Sequence, residues 1–310
     1  MKDLKVIFMG TPNFAVPILE MLIKETNVVL VVTQPDKEVG RKRTILKTPV
    51  KEEAEKYGIE VFQPKKIKEE MDKVLSTECD IIITCAYGQI LPKEILNYPR
   101  LKCVNVHASL LPKYRGGAPI HWCLINGEEK SGVTIMYMDE HMDTGNMISK
   151  EECVINDTDN VGTLHEKLSL IGRDLLYKTL PSIIDGTNES IKQDNDEASV
   201  APNITREMEH LDFSLSGKEI VNKVRGLNPR PMANMLVNGE EYKVLEARFV
   251  KSDNTTTWKV MNVTKESFAI GCLDGYVEIL KLKPFGKKVM DTKSFLNGVN
   301  KENVKNFIIS

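Results

Sequence analysis

Up to about residue 155, short apolar runs alternate with stretches of helical periodicity, and this alternation narrows the fold more than any other feature. Residues 4–9, 28–33, 61–62, 80–85, 101–106, 133–138 and 147–155 read as strands. Between them, residues 14–24, 49–57, 66–75 and 120–125 carry apolar side chains at helical spacing. The run 80–85 is almost continuously apolar, as a strand covered on both faces of a parallel sheet must be. Strands that alternate with helices build an open, mostly parallel sheet with helices packed on it. A long helix over 161–184 closes the unit. The fold class is therefore α/β.

Residues 191–206 are polar, rich in turn formers and without periodicity, so a first domain over 1–190 and a linker over 191–206 are expected. Beyond it, 207–310 opens with a short helix around 216–225. Strand-like runs follow at 242–249, 257–263, 267–272 and 276–282, with turns marked by Gly271 and by Leu273-Asp274-Gly275. Short strands at close spacing suggest a small barrel or sandwich.

The chemistry concentrates in Asn105-Val-His107-Ala-Ser109-Leu110-Leu111-Pro112, which continues through Arg115-Gly-Gly117. Asn105 and His107 are two residues apart, so both leave the same face of an extended strand. The pair joins an amide, able to donate to an oxygen gaining negative charge, with the side chain type that titrates near neutrality. Ligands of open α/β sheets sit at the carboxyl ends of strands. A single histidine there is more often structural than catalytic, but the long punctuated loop after it favours a site. A second polar cluster, Asp139-Glu-His-Met-Asp143-Thr-Gly145-Asn146, follows another strand-like run.

Several classes are excluded. The first strand-to-helix turn, Gly10-Thr-Pro-Asn-Phe-Ala15, has one glycine where a dinucleotide fingerprint needs three, and no Walker lysine motif occurs. Ser109 lies outside any nucleophile-elbow sequence. None of the six cysteines forms a C-x-x-C pair, so neither a disulfide framework nor a metal site is expected. The formal net charge of −2 advertises no general affinity for nucleic acid. The apolar part of residues 1–9 is too short for a signal peptide, and no run is long enough to span a membrane; a cytoplasmic protein is expected.

One local feature runs against the overall charge. Residues 35–49 form a long connection with Lys37, Arg41, Lys42, Arg43 and Lys47 around Gly40. Most such loops are simply solvated, but this one is long for a strand-to-helix connection and suits a phosphate backbone.

These motifs together resemble the methionyl-tRNA formyltransferases nearly end to end. The resemblance rests on residues 9–17 (Met-Gly-Thr-Pro-Asn-Phe-Ala-Val-Pro), on Thr33-Gln-Pro-Asp36 with Gly40-Arg41 and Pro49-Val-Lys51, and on Ala86-Tyr-Gly-Gln-Ile-Leu-Pro92. It continues in 105–112, in Met138-Asp139 with Asp143-Thr-Gly145, and in Arg225-Gly-Leu-Asn-Pro229. The Ser-Leu-Leu-Pro segment alone marks only the wider folate-dependent formyltransferases. The chain departs from the family pattern at Asn13, Arg230, His141 and Asn146.

The resemblance implies a Rossmann-like formyltransferase fold followed by an OB-fold-like β-barrel over 207–310 that holds tRNA. It implies transfer of the formyl group of 10-formyltetrahydrofolate to the α-amine of initiator methionyl-tRNA. Asn105, His107 and Asp143 would be catalytic. Ser109, Leu110, Leu111 and Pro112 would lie against the folate, and Arg41, Lys42 and Arg43 would meet the tRNA. No metal is implied, and a cytoplasmic monomer without membrane contact is expected. The same trio would also serve a formyltransferase acting on a small amine such as a nucleotide sugar, or a formyltetrahydrofolate hydrolase. A non-catalytic RNA-binding protein is the reading from another class.

Overall fold

The computed structural model describes residues 1–39 and 43–310. The chain divides into two compact units, the first made of 1–119, 130–154 and 165–202, the second of 120–129, 155–164 and 203–310.

The first unit is built on a seven-stranded sheet. Its strands are β1 (Lys5–Gly10), β2 (Asn27–Val32), β5 (Val61–Phe62), β6 (Ile81–Cys85), β7 (Cys103–His107), β8 (Lys130–Tyr137) and β9 (Met147–Val154), in the order β5-β2-β1-β6-β7-β8-β9. The pairs from β5 to β7 are parallel, and β8 and β9 add antiparallel strands at one edge. Every residue of β6 is buried, the outcome its unbroken apolar sequence requires for a central strand. Helices α1 (Val16–Glu25) and α2 (Pro49–Lys56) follow β1 and precede β5. Thr48 caps α2 by accepting from the Lys51 amide, with Pro49 in the first turn. The helix expected over 66–75 is shorter: turns fill 66–70, and α3 spans Asp72–Ser76. Asn97 C-caps α4 (Lys93–Leu96), and α6 (Val161–Asp185) belongs to this unit from His165 on, whereas α5 (Pro119–Ile125) falls from Ile120 on in the second unit.

The basic connection after β2 holds a two-stranded hairpin, β3 (Lys37–Val39) and β4 (Thr44–Leu46), that its charge pattern does not announce. Ile45 and Leu46 stand exposed on it. Its base is fastened: Lys51 Nζ lies 2.6 Å from Asp36 Oδ2 and 2.7 Å from Gln63 Oε1, while Gln63 Nε2 donates to Asp36 Oδ1 at 2.7 Å. Burial works to raise the Asp36 pKa, but these hydrogen bonds outweigh it and hold the carboxyl below its ordinary value.

Residues 191–201, expected within a linker, make ordered hydrogen bonds inside the first unit. Ile191 and Met147 exchange backbone bonds at 2.8 Å, and Arg115 donates its N–H to Ser199 and accepts from Ala201.

The second unit centres on a six-stranded antiparallel sheet. β10 (Ala233–Val237), β11 (Glu240–Lys251), β14 (Gly275–Lys283), β13 (Phe268–Cys272) and β12 (Val260–Val263) run in that order, and β15 (Met290–Asp291) pairs with β14. Register shifts at Val244/Glu246 and Glu246/Ala247 bend the long β11. Helix α7 (Gly217–Leu227) starts in a capping box formed by Ser216 and Glu219. Its Ile220, Val224 and Leu227 share a core with Phe213, Phe268, Ile270 and Phe295. Two short helices, α8 (Thr292–Asn297) and α9 (Lys301–Lys305), complete the unit.

Candidate active site

β7 ends at His107, so Asn105 and His107 sit at its carboxyl end, and their i, i+2 spacing puts both on one face. The parallel neighbour β6 supplies Thr84, paired in register with Asn105. The Thr84 hydroxyl, on a residue 3% exposed, donates to Asn105 Oδ1 at 2.8 Å. This fixes the amide so that Nδ2, its donor end, turns the other way, toward Asp143 Oδ1 at 3.5 Å.

His107 is 6% exposed. Its Nε2 lies 3.0 Å from the Tyr114 carbonyl, which can only accept, so Nε2 carries a proton. Nδ1 is then the nitrogen free to gain or lose one, and it faces Asp143 Oδ1 at 3.7 Å. One carboxylate oxygen thus lies near both the amide and the imidazole. The other, Oδ2, accepts from the Gly116 amide at 2.8 Å. The 3.5 Å to Asn105 is at the long end for a hydrogen bond and the 3.7 Å to His107 is beyond one, as in clusters that tighten around substrate.

Two loops hold this cluster. In the first, the Ser109 hydroxyl donates to Lys113 O at 2.7 Å, while the Thr134 hydroxyl donates to Ser109 O and accepts from the Leu111 amide. Ser109 is buried, its hydroxyl engaged in shaping the loop. Leu111 is buried with Met136 and Met147, whereas Leu110 and Pro112 are half-buried, with a cis peptide joining Leu111 to Pro112. In the second loop, Asp143 has the left-handed backbone (φ 56°) that few non-glycine residues adopt. Gly145 packs so closely that a Cβ there would fall 1.9 Å from Tyr137 O. Gln193, 4% exposed, donates from Nε2 to the carbonyls of Asp143 and Gly145, both at 2.8 Å.

The structure therefore brings Asn105, His107 and Asp143 together and keeps residues 109–112 on the loop that leaves His107. Arg43 stands on the β3–β4 hairpin, exposed and 3.9 Å from Glu38. Arg41 and Lys42 lie outside the described residues. Thr84, Gly116 and Gln193 are the contributors that sequence reasoning missed. Their partners are 21, 27 and 50 residues away, beyond any local pattern. Among the described residues, no group of three or more metal-type ligands converges, and no helix is long and apolar enough to cross a membrane.

An amide donor, a buried imidazole and a carboxylate around one point can stabilise an oxyanion and relay a proton, the equipment of acyl or formyl transfer. The comparisons with known proteins agree with this chemistry. A family described as formyl transferase matches residues 4–180, and one described as formyl transferase, C-terminal domain, matches 203–300. The methionyl-tRNA formyltransferase of Bacillus subtilis (strain 168) is 48% identical over 303 residues, covering 96% of each chain. That of Staphylococcus epidermidis (strain ATCC 12228) is 49% identical over 298 residues, 95% of this chain and 96% of its own. Among solved structures, WlaRD, a sugar 3N-formyl transferase in the presence of dTDP and 5-N-formyl-THF, superposes with a TM-score of 0.69 at 23% identity, over 93% of this chain and all of its own. At that identity the likeness concerns the fold.

Proposed function

This chain belongs to the methionyl-tRNA formyltransferases and transfers the formyl group of 10-formyltetrahydrofolate to the α-amine of methionine on initiator methionyl-tRNA, and we propose that Asn105, His107 and Asp143 carry the transfer. The observation that carries the proposal is the single Asp143 oxygen lying 3.5 Å from the Asn105 amide and 3.7 Å from His107 Nδ1 at the end of β7. The small-amine and hydrolase alternatives are not favoured, because relatives near half identity along the whole chain are the tRNA enzymes.

The α-amine attacks the formyl carbon, and the tetrahedral intermediate places negative charge on the former carbonyl oxygen. Asn105 Nδ2, aimed by Thr84, donates to that oxygen. A protonated His107 Nδ1 adds charge on the same side, since Nε2 is committed to Tyr114. The attacking amine must lose a proton and the departing N10 of the folate must gain one; Asp143 and His107 are the groups that pass it. An α-amine has a pKa of about 7.7–8.0, so a good fraction is neutral before it binds. Placement and charge stabilisation then matter more than a strong base.

Around this centre, the half-buried Leu110 and Pro112 form an apolar wall for the folate, with the buried Leu111 backing it and Ser109 bracing it from inside the loop. Arg43, with Arg41 and Lys42 beside it in sequence, meets the phosphate backbone of the acceptor end. The fastening of Asp36, Lys51 and Gln63 gives that hairpin a fixed base. The 207–310 domain holds the body of the tRNA, consistent with its excess of Lys and Arg and with an exposed Phe285 beside Lys287 and Lys288. The enzyme works as a cytoplasmic monomer. Six free cysteines suit a reducing compartment, and light scattering that returns a dimer mass would contradict the monomer.

The test is formyl transfer from 10-formyltetrahydrofolate to charged initiator tRNA, beside uncharged tRNA and an elongator control, for the wild type and for His107→Ala. Transfer to the charged initiator that collapses in the variant supports the assignment. A variant with normal turnover removes it.

A further inference from the structure

Resting on the proposed trio, we infer that Gln193, on a segment that adds no group to the reacting centre, is a positioning residue that sets turnover by fixing the Asp143 carboxylate. Its carboxamide is fully used. Nε2 donates both hydrogens, one to Asp143 O and one to Gly145 O, each at 2.8 Å. Oε1 accepts from Arg115 Nε at 3.0 Å. The side chain thus ties together the two loops that meet at the site. One is the Asp143–Gly145 turn. The other is the 114–116 loop, whose Tyr114 carbonyl holds His107 Nε2 and whose Gly116 amide holds Asp143 Oδ2.

Asp143 depends on such support. Its left-handed backbone is sparsely populated outside glycine, though aspartate adopts it more readily than most residues. The Gly145 turn after it is packed against Tyr137, so the contacts around the turn set the carboxylate's place. Without the two amide donors, the carbonyls of Asp143 and Gly145 lose their buried partner and the turn relaxes. The carboxylate then drifts from Asn105 and His107. Misplacement of about 1 Å at a reacting centre costs up to 10²-fold in rate. Gln193 itself is anchored from both ends, by Ile191 on Met147 and by Ser199 and Ala201 on Arg115. Its segment therefore works as a strap across the two loops.

The variants to make are Gln193→Met, similar in length without polar atoms, and Gln193→Glu. The glutamate keeps a partner for Arg115 but sets an oxygen where the amide donors were. Full-length enzyme is assayed with initiator methionyl-tRNA and 10-formyltetrahydrofolate, under single-turnover conditions where rates are low. The expected result is a kcat reduced about ten- to hundredfold in both variants, with KM for each substrate within about twofold of wild type. In an Asp143→Asn background, adding Gln193→Met should change the rate by less than about twofold, because the carboxylate it positions is gone. If Gln193→Met fails to fold, Gln193→Glu alone decides. A wild-type kcat, a loss carried by KM, or losses that multiply in the Asp143→Asn background would overturn the inference. Asp143→Asn alone at the wild-type rate would instead remove the trio and this inference with it. A slow Asp143→Asn beside fully active Gln193 variants would overturn the role of Gln193 only.

Discussion

Thr84→Val removes one hydroxyl from the floor of the site and leaves the branched shape of the side chain. In the wild type that hydroxyl donates to Asn105 Oδ1 at 2.8 Å and decides, together with the Asp143 carboxylate, which end of the amide faces the substrate. A hydrogen bond of this kind contributes about 0.5–1.5 kcal/mol net. At about 1.36 kcal/mol for each tenfold in rate, losing that orienting preference slows transfer about two- to twelvefold. The Asn105 donor itself remains, so the loss stays well short of the 10²–10³ expected for removing an oxyanion donor outright. Valine suits a buried position in β6, so the variant should fold. The assay is kcat for formyl transfer at saturating concentrations of both substrates, with Thr84→Val and Asn105→Ala measured together. No change in kcat would refute the claim that Thr84 aims the amide. A loss equal to that of Asn105→Ala would show that the hydroxyl does more than orient.

Gly145→Ala should lower both kcat and melting temperature, because its Cβ would lie 1.9 Å from Tyr137 O and the Asp143 turn would have to move; activity and calorimetry on one sample check this. Arg43→Ala should raise KM for methionyl-tRNA while leaving KM for the folate within about twofold; equal effects on both would contradict a tRNA contact. Burial pushes the Cys79 thiol up to about 12 and moves Cys85 and Cys103 in the same direction, so peptide mapping after iodoacetamide at pH 8 should find these three unmodified in the native enzyme. Asp80 is held below its ordinary value by the Lys5 backbone amide and by Arg100. Its contribution is therefore present above an unfolded value of 3.8 and lost as pH falls through the lower folded value. Asp80→Asn should cost about 1–2 kcal/mol at pH 7 in urea unfolding, with the gap from wild type narrowing below pH 3.8.

The strands of the parallel sheet were legible because burial on both faces demands continuous apolar runs, and β1, β2 and β6 have them. The β3–β4 hairpin was not, since three-residue strands carrying Lys37, Glu38 and Thr44 give no alternation to detect. β10 was missed for a related reason: Ala-Asn-Met-Leu-Val has a single β-branched residue and follows two prolines. Helices α8 and α9, of 6 and 5 residues, are too short for periodicity and depend on their Asp291 and Asn300 caps. At the site, spacing alone revealed that Asn105 and His107 share a face. Asp143 stood in the polar cluster after the strand-like run 133–138, and its catalytic role came through the resemblance. Aspartate tolerates a left-handed backbone, but the local sequence does not single out this position for one. Thr84 and Gln193 act through contacts created by sheet order and by the return of the 191–201 segment, so only the folded chain displays them.

If Asn105, His107 and Asp143 act on one developing charge, their effects cannot be independent. The most direct test is a set of single-turnover formyl-transfer rates for Asn105→Ala, His107→Ala, Asp143→Asn and the double variant Asn105→Ala/His107→Ala, at saturating substrates. Each single change should slow transfer by about 10²–10³, and the double variant should fall within about tenfold of its slower parent, as residues that work as a unit do. A double variant whose loss equals the product of the two single losses, or any single variant near the wild-type rate, would contradict the account.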